Sequence, residues 1–169
     1  MKIGLLSDTH GYFDPQIPEF FKDRDEIWHA GDIGSREVIT SLEKLAPVRA
    51  VYGNIDDASL RSEFPEDQFF NCDGLKVWIT HIGGYPGRYN QRTRAILSHQ
   101  KFDLFICGHS HILKIMPDKI HGLLHINPGA AGYHGFHKVK TLIRFDIEQG
   151  KIRNPEVIEL GKRGQISMD

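Results

Sequence analysis

Lys2-Ile3-Gly4-Leu5-Leu6-Ser7-Asp8-Thr9-His10-Gly11 decides how the rest of the chain is read. An apolar run that stops at polar side chains beside glycine reads as a buried strand with functional groups at its carboxyl end. The same order of residues returns along the chain. Glu26-Ile27-Trp28 leads to Gly31-Asp32, Val48-Arg49-Ala50-Val51-Tyr52 to Gly53-Asn54, and Val77-Trp78-Ile79 to Thr80-His81. Leu104-Phe105-Ile106-Cys107 leads to Gly108-His109-Ser110-His111. In open α/β sheets the ligand crevice lies beyond the carboxyl ends of the strands, so these ends can converge although they are far apart in sequence. Glycine beside each cluster leaves room for a sharp turn with no Cβ in the way.

Helices fill the intervals in the first half. Pro15 to Arg24 carries Ile17, Phe20 and Phe21, and Ser35 to Leu45 carries Val38, Ile39, Leu42 and Leu45 at helical spacing behind a candidate Ser35 cap. Residues 88–100 read as a third, more polar helix. After His111 the pattern changes to strands alone: Leu113 to Met116, Gly122 to Ile126, Thr141 to Ile147 and Ile152 to Leu160. Glu148-Gln149-Gly150-Lys151 is the turn between the last two. The expected fold is α/β, a two-sheet β-sandwich flanked by helices. One sheet is expected to be mostly parallel and fed by helices, the other increasingly antiparallel. One domain covers 1–160, and 161–169 is a polar tail expected to fray.

Composition frames this. The 169 residues are 40% hydrophobic and 25% charged, ordinary for one globular domain. With 21 basic against 22 acidic residues and no long Lys/Arg run, extended nucleic-acid binding is not expected. Cys72 and Cys107 both lie in or beside apolar runs and read as buried thiols in a reducing compartment. The first apolar stretch stops at Asp8, too short for a signal peptide, and no run reaches the length of a membrane span. A cytoplasmic protein without a membrane partner is expected; homo-oligomerisation stays open.

The strand ends supply carboxylates, imidazoles and one carboxamide, the donors that two borderline divalent cations need when they share a bridging carboxylate. Taken singly, Asp8, Asp32 and Asn54 read equally well as helix caps or turn residues, and His81 as a hydrogen-bonded core or surface histidine. Taken together they predict a dinuclear metal centre, because unrelated causes would have to place metal-competent groups at several independent strand ends.

In order, Asp8-x-His10, Gly31-Asp32, Gly53-Asn54-Ile55-Asp56, the lone His81 and Gly108-His109-Ser110-His111 resemble the motifs of the calcineurin-like metallophosphoesterases, and among these the small single-domain bacterial and archaeal phosphodiesterases. The resemblance runs from Lys2 to about Gly129, where Asn127-Pro128-Gly129 is similar to the family's closing turn. It implies a four-layer α/β/β/α fold, with Asp8, His10 and His111 on one metal, Asn54, His81 and His109 on a second, and Asp32 bridging them. Only a carboxylate has two oxygens to serve two cations, and a neutral Asn54 oxygen leaves its ion more electrophilic toward a phosphoryl group bound there. The implied reaction is hydrolysis of a small phosphoester, a phosphodiester above all, by a metal-bridging hydroxide. Mn²⁺ leads among cations that this mixed donor set tolerates, with Fe, Zn, Ni or Co as alternatives.

Ile55 departs from the family pattern. Many relatives carry His at this position of G-N-x-D, where it can protonate the leaving group, and Ile55 cannot. Asp56 then loses the role of orienting that His and is expected as a cap or ion-pair member. His134 and His137, in the Gly-rich stretch from Gly129 to Lys140, are the candidate replacements for the missing acid, with an exposed loop as the plainer explanation. His29 reads either as a partner orienting a ligand or as a packed histidine, and His99, His121 and His125 as solvent or sheet positions. Two competing functions share the fold: a non-catalytic scaffold similar to a eukaryotic retromer subunit that has lost ligands, and a small nuclease. Completeness of the ligand set favours an enzyme.

Overall fold

Period-2 alternation in the buried strands divides the core into layers. The computed structural model describes residues 1–164. In chain order the elements are β1 (Lys2–Leu6), α1 (Ile17–Phe21), β2 (Glu26–His29), α2 (Arg36–Glu43), β3 (Val48–Ala50), α3 (Ala58–Glu63), β4 (Asp67–Cys72) and β5 (Leu75–Thr80). There follow α4 (Gln91–His99), β6 (Leu104–Ile106), β7 (Lys114–Asp118), β8 (Leu123–Asn127), β9 (Val139–Glu148) and β10 (Lys151–Lys162). They form two five-stranded sheets, in the orders β10-β9-β1-β2-β3 and β4-β5-β6-β8-β7.

Ile3 and Leu5 of β1 point between the sheets, where they join Val77 and Ile79 of β5, Leu104 and Ile106 of β6, and Ile143 and Phe145 of β9. The alternate residue Leu6 packs outward with Ile17 and Phe21 of α1, Val38, Ile39 and Leu42 of α2, and Leu60 of α3. On the second sheet Trp78 and Phe105 face outward onto Leu97 of α4. Helix, sheet, sheet and helix therefore stack as four layers. Each of these large apolar side chains is worth about 2–5 kcal/mol against truncation to Ala.

Both sheets turn out to be mixed, which corrects the expected division into one mostly parallel and one increasingly antiparallel sheet. β1–β2–β3 and β5–β6–β8 are parallel cores, and each has antiparallel strands added: β9 and β10 beside β1, β4 beside β5, and β7 beside β8. The late strands thus share themselves between both sheets. α3 and β4 had no clear period in sequence: α3 is short, and β4 is an edge strand with exposed Phe69. Its one local signal is Asp57, whose carboxylate caps α3 by accepting from the Leu60 N–H at 3.0 Å.

The expected helices are shorter at their ends. Pro18 lies in the first turn of α1, which covers only Ile17–Phe21. Ser35 stands at the N-cap of α2 in extended conformation, but its hydroxyl makes no capping bond. Asn90 does cap α4, accepting from the Thr93 N–H at 2.8 Å. β3 stops at Ala50, short of the expected Tyr52. β10 runs to Lys162, so the first residues of the expected tail belong to the sheet; 165–169 lie outside the described residues. Cys72 and Cys107 are buried free thiols, and burial pushes the Cys107 thiol up to about 12. Among the described residues no helix is long and apolar enough to cross a membrane.

Candidate metal centre

The strand ends converge at one edge of the sandwich. Asp8 and His10 follow β1, Asp32 follows β2, Asn54 follows β3, His81 follows β5, and His109 and His111 follow β6. Backbone hydrogen bonds lace the loops together: Asp8 N–H donates to Gly31 O at 3.0 Å, His10 N–H to Asp32 O at 3.0 Å, and Gly108 N–H to His81 O at 3.0 Å. The turns are carried largely by the functional residues themselves. Asp8, His10, Asp32, His109 and His111 have φ of 55°, 47°, 52°, 69° and 60°, a left-handed conformation that costs a non-glycine residue roughly 1–2 kcal/mol. The glycines serve close approach instead. A Cβ on Gly53 would collide with the Asp32 carboxylate and its backbone nitrogen.

Donor atoms of Asp8, His10 and His111 lie within 4.8 Å of one another, as do those of Asp32, His81 and His109. Asp32 stands between the groups. Its Oδ2 lies 3.5 Å from His10 Nε2, and its Oδ1 lies 3.2 Å from His81 Nε2. Asn54 Oδ1 is 3.1 Å from His81 Nε2 and 3.0 Å from His109 Nδ1. The seven residues that the family resemblance names as ligands therefore lie together at this edge of the sandwich.

The hydrogen bonding fits a cation in each set. His81 Nδ1 donates to the Ala30 carbonyl at 2.8 Å, so a neutral His81 turns a bare Nε2 toward the oxygens of Asn54 and Asp32. Lone pairs facing one another at such distances repel unless a proton or a cation sits among them. Asp8 Oδ1 and His10 Nε2 are buried without a hydrogen-bond partner, a costly arrangement for groups of this polarity. Carboxylate, imidazole and carboxamide donors without a thiolate suit a borderline or hard divalent ion.

Neighbouring groups hold the loops in place. Asp56, expected as a cap or ion-pair member, instead accepts from the backbone N–H groups of Ile33, Gly34 and Gly53 at 3.1, 2.8 and 2.7 Å, tying the Asp32 loop to the Asn54 loop. His29 takes an orienting position. Gly31 N–H donates to its Nδ1 at 3.2 Å, so its Nε2 donates to the Thr9 hydroxyl at 2.9 Å, and Thr9 donates to Ile33 O at 2.8 Å. Burial lowers the His29 imidazole to about 4, which keeps it neutral and this chain of bonds intact. His99 is exposed, His121 hydrogen-bonds Asp118 at 2.7 Å, and His125 is buried against Phe105.

The calcineurin-like phosphoesterase superfamily domain matches residues 1–150. The chain belongs to this superfamily. It is 35% identical over 135 residues to a probable metallophosphoesterase of Methanothermobacter thermautotrophicus, covering 77% of each chain. It is 32% identical over 171 residues to a phosphodiesterase of Methanocaldococcus jannaschii, covering 90% of this chain and 97% of that one. In fold it is similar to Vps29 of Entamoeba histolytica, solved in complex with Zn²⁺, with a TM-score of 0.73 at 19% identity over 95% of this chain and 100% of that chain. At that identity the likeness shows the shared architecture.

For a calcineurin-like phosphoesterase, one imidazole links cation binding to pH. Burial alone would lower His81, but the hydrogen bond and charge of Asp32, with Asp8 behind it, hold its pKa above the ordinary 6.5. A raised value means that the proton competes with a cation at higher pH than an ordinary histidine would allow. Cation affinity is therefore expected to fall as pH drops through this raised value, with proton release accompanying cation binding at the His81 set. Calorimetric titration in buffers of different ionisation enthalpy measures that release; an affinity that stays flat as pH falls would contradict it.

Proposed function

We propose that this chain is a metal-dependent phosphodiesterase with two divalent cations, Mn²⁺ being the first candidate, held by Asp8, His10 and His111 on one side and Asn54, His81 and His109 on the other, with Asp32 between. The observation that carries this is the bridge geometry: the two oxygens of one buried carboxylate face two separate donor sets. Cations held by these residues would supply a hydroxide at neutral pH and neutralise charge on the phosphoryl oxygens. The protein's own groups orient the donors: Ala30 O fixes His81, and the Ile55 N–H at 3.0 Å fixes Asp32 Oδ1.

The space around the donors favours a diester. A cavity of about 580 Å³ opens over His10, Asp32 and His111, with Ile55, Ile112 and Phe136 on its apolar side. A second, of about 290 Å³, lies beside His81, Arg61 and Arg92. Asn54 lines both. A phosphoryl group held at Asn54 could extend one ester arm into each, whereas a monoester needs only one. The exposed apolar side chains, Ile112 at 60% and Phe136 fully so, favour an apolar or aromatic arm. The scaffold reading draws on the Vps29 fold, but a scaffold has no need of a complete donor set. Two buried, unpaired thiols support a reducing, cytoplasmic setting.

Ile55 sits 45% exposed at the cavity and has no proton to give. Of the candidate replacements, His137 has both ring nitrogens engaged within the protein. His134 is exposed in the cavity and stacks on His10 at 4.8 Å. Turnover is therefore expected to depend steeply on the leaving group. With added Mn²⁺, aryl phosphodiesters of low leaving-group pKa should exceed alkyl phosphomonoesters by about 10²-fold or more in kcat/KM, the range that a missing general acid typically costs. A substrate survey tests both the reaction and this preference. Equal rates on activated diesters and alkyl monoesters would contradict the preference, and no hydrolysis of any phosphoester would contradict the activity.

A further inference from the structure

The segment 128–138 between β8 and β9 folds back over the first donor set. Ala131 N–H donates to Ser7 O at 2.9 Å and Gly132 N–H to Asp8 O at 3.1 Å, which fastens the segment to the strand end that carries Asp8. From there it reaches His111. His137 Nε2 lies 2.7 Å from the Gly132 carbonyl, and His137 Nδ1 lies 3.2 Å from His111 Nδ1, with the two rings edge to face at 75°. Gly135 packs against this contact at φ 120°, and a Cβ there would strike the His111 ring nitrogen.

These contacts admit one proton arrangement when both rings are neutral. A carbonyl oxygen only accepts, so His137 Nε2 carries the hydrogen and His137 Nδ1 is left as an acceptor. His111 Nδ1 must then donate to it. His111 Nε2 is left bare, 3.2 Å from Asp8 Oδ1 and aimed into the first donor set. Without the His137 acceptor, the other tautomer gains: His111 Nε2–H would donate to Asp8 Oδ1 and fill the space meant for a cation.

We propose that His137 is a positioning residue that sets the tautomer of His111, so that the loop after β8, as well as the strand ends, completes the first cation site. The proposal rests on the two-cation reading above but not on the reaction. Such partners of metal-binding histidines typically change metal affinity 10- to 100-fold when removed. His137→Leu keeps the bulk and loses the acceptor; His137→Asn puts an oxygen close to where Nδ1 stands.

Long-range ¹H–¹⁵N spectra of the cation-free protein read the tautomer, and calorimetric titration with Mn²⁺ reads the two affinities. The parent should show His111 protonated at Nδ1. His137→Leu should shift His111 toward Nε2–H and weaken one of the two ions about 10- to 100-fold, leaving the other unchanged. His137→Asn should restore most of both. His111 with the parent tautomer in His137→Leu, or both ions bound at parent affinity, would overturn the proposal. So would a His137→Leu variant that keeps both affinities and slows only substrates with poor leaving groups, since that is the behaviour of a proton donor. Failure of the parent to hydrolyse any phosphodiester would overturn the reaction while leaving these two readouts standing.

Discussion

Asp32→Ala is expected to lose at least one of the two ions and to lower kcat/KM for an activated phosphodiester by about 10³-fold or more, roughly 4 kcal/mol of transition-state stabilisation. Asp32 is buried and turns one oxygen toward each donor set, and the neighbouring carboxylate, Asp8, is already committed: its Oδ1 lies 3.2 Å from His111 Nε2 and 3.9 Å from His81 Nε2, and its Oδ2 accepts the His109 N–H. Its own pKa shows how the site treats that charge. Burial would raise it, but the His81 hydrogen bond and charge and the Ile55 N–H hold the carboxyl below its ordinary value, so it stays ionised throughout the neutral range.

The companion variant Asp32→Asn separates bridging from folding. Asn tolerates the left-handed conformation that residue 32 adopts at φ 52°, and it keeps one oxygen for the Ile55 N–H. It offers a single acceptor oxygen and no charge, so it can serve one cation but not two. Metal analysis after gel filtration, beside thermal unfolding of the cation-free proteins, gives the result. Both ions retained at parent affinity in either variant would remove the bridge from the mechanism.

Much of this site could be read from the chain because its donors sit at strand ends, where apolar runs stop. A β-strand shows its burial directly as Ile, Val, Leu and Trp, and the residue after it is positioned by the sheet rather than by local preference. Hence Asp8, Asp32, Asn54, His81 and His109 were readable, and so was their convergence. What could not be read was partnership across the fold. Asp56 binding three backbone N–H groups, and the link from Gly132 through His137 to His111, depend on contacts between segments with no shared local pattern. The division of strands between sheets was hidden for the same reason. β9 pairs with β1 at the opposite end of the chain, and neither sequence states which edge the other will meet.

Lys140 is the sharpest instance, and Lys140→Met is expected to destabilise the fold by about 3–5 kcal/mol, a fall of about 10 °C or more in Tm for a chain of this size. In sequence Lys140 closes a Gly-rich stretch that reads as an exposed loop. In the fold it is only 1% exposed, and its ammonium donates to Asp14 Oδ2 at 2.6 Å. Asp14 is wholly buried, and its other oxygen accepts from the Gln16 N–H at 3.0 Å. The ammonium also lies 5.1 Å from the centre of the Tyr12 ring, which meets the Tyr133 ring edge to face with centres 4.8 Å apart. The pair thus joins the loop after His10 to the loop carrying His134 and His137. Removing the cation leaves a fully buried carboxylate without its ion-pair partner, which costs far more than an exposed ion pair gains. Asp14→Asn added to Lys140→Met removes that stranded charge while keeping an oxygen for Gln16. The double variant should therefore recover most of the loss, making the two substitutions strongly non-additive. Urea unfolding of the parent, both single variants and the double variant measures the cycle. A Lys140→Met protein within about 1 kcal/mol of the parent would show that this ion pair does not hold the two loops together.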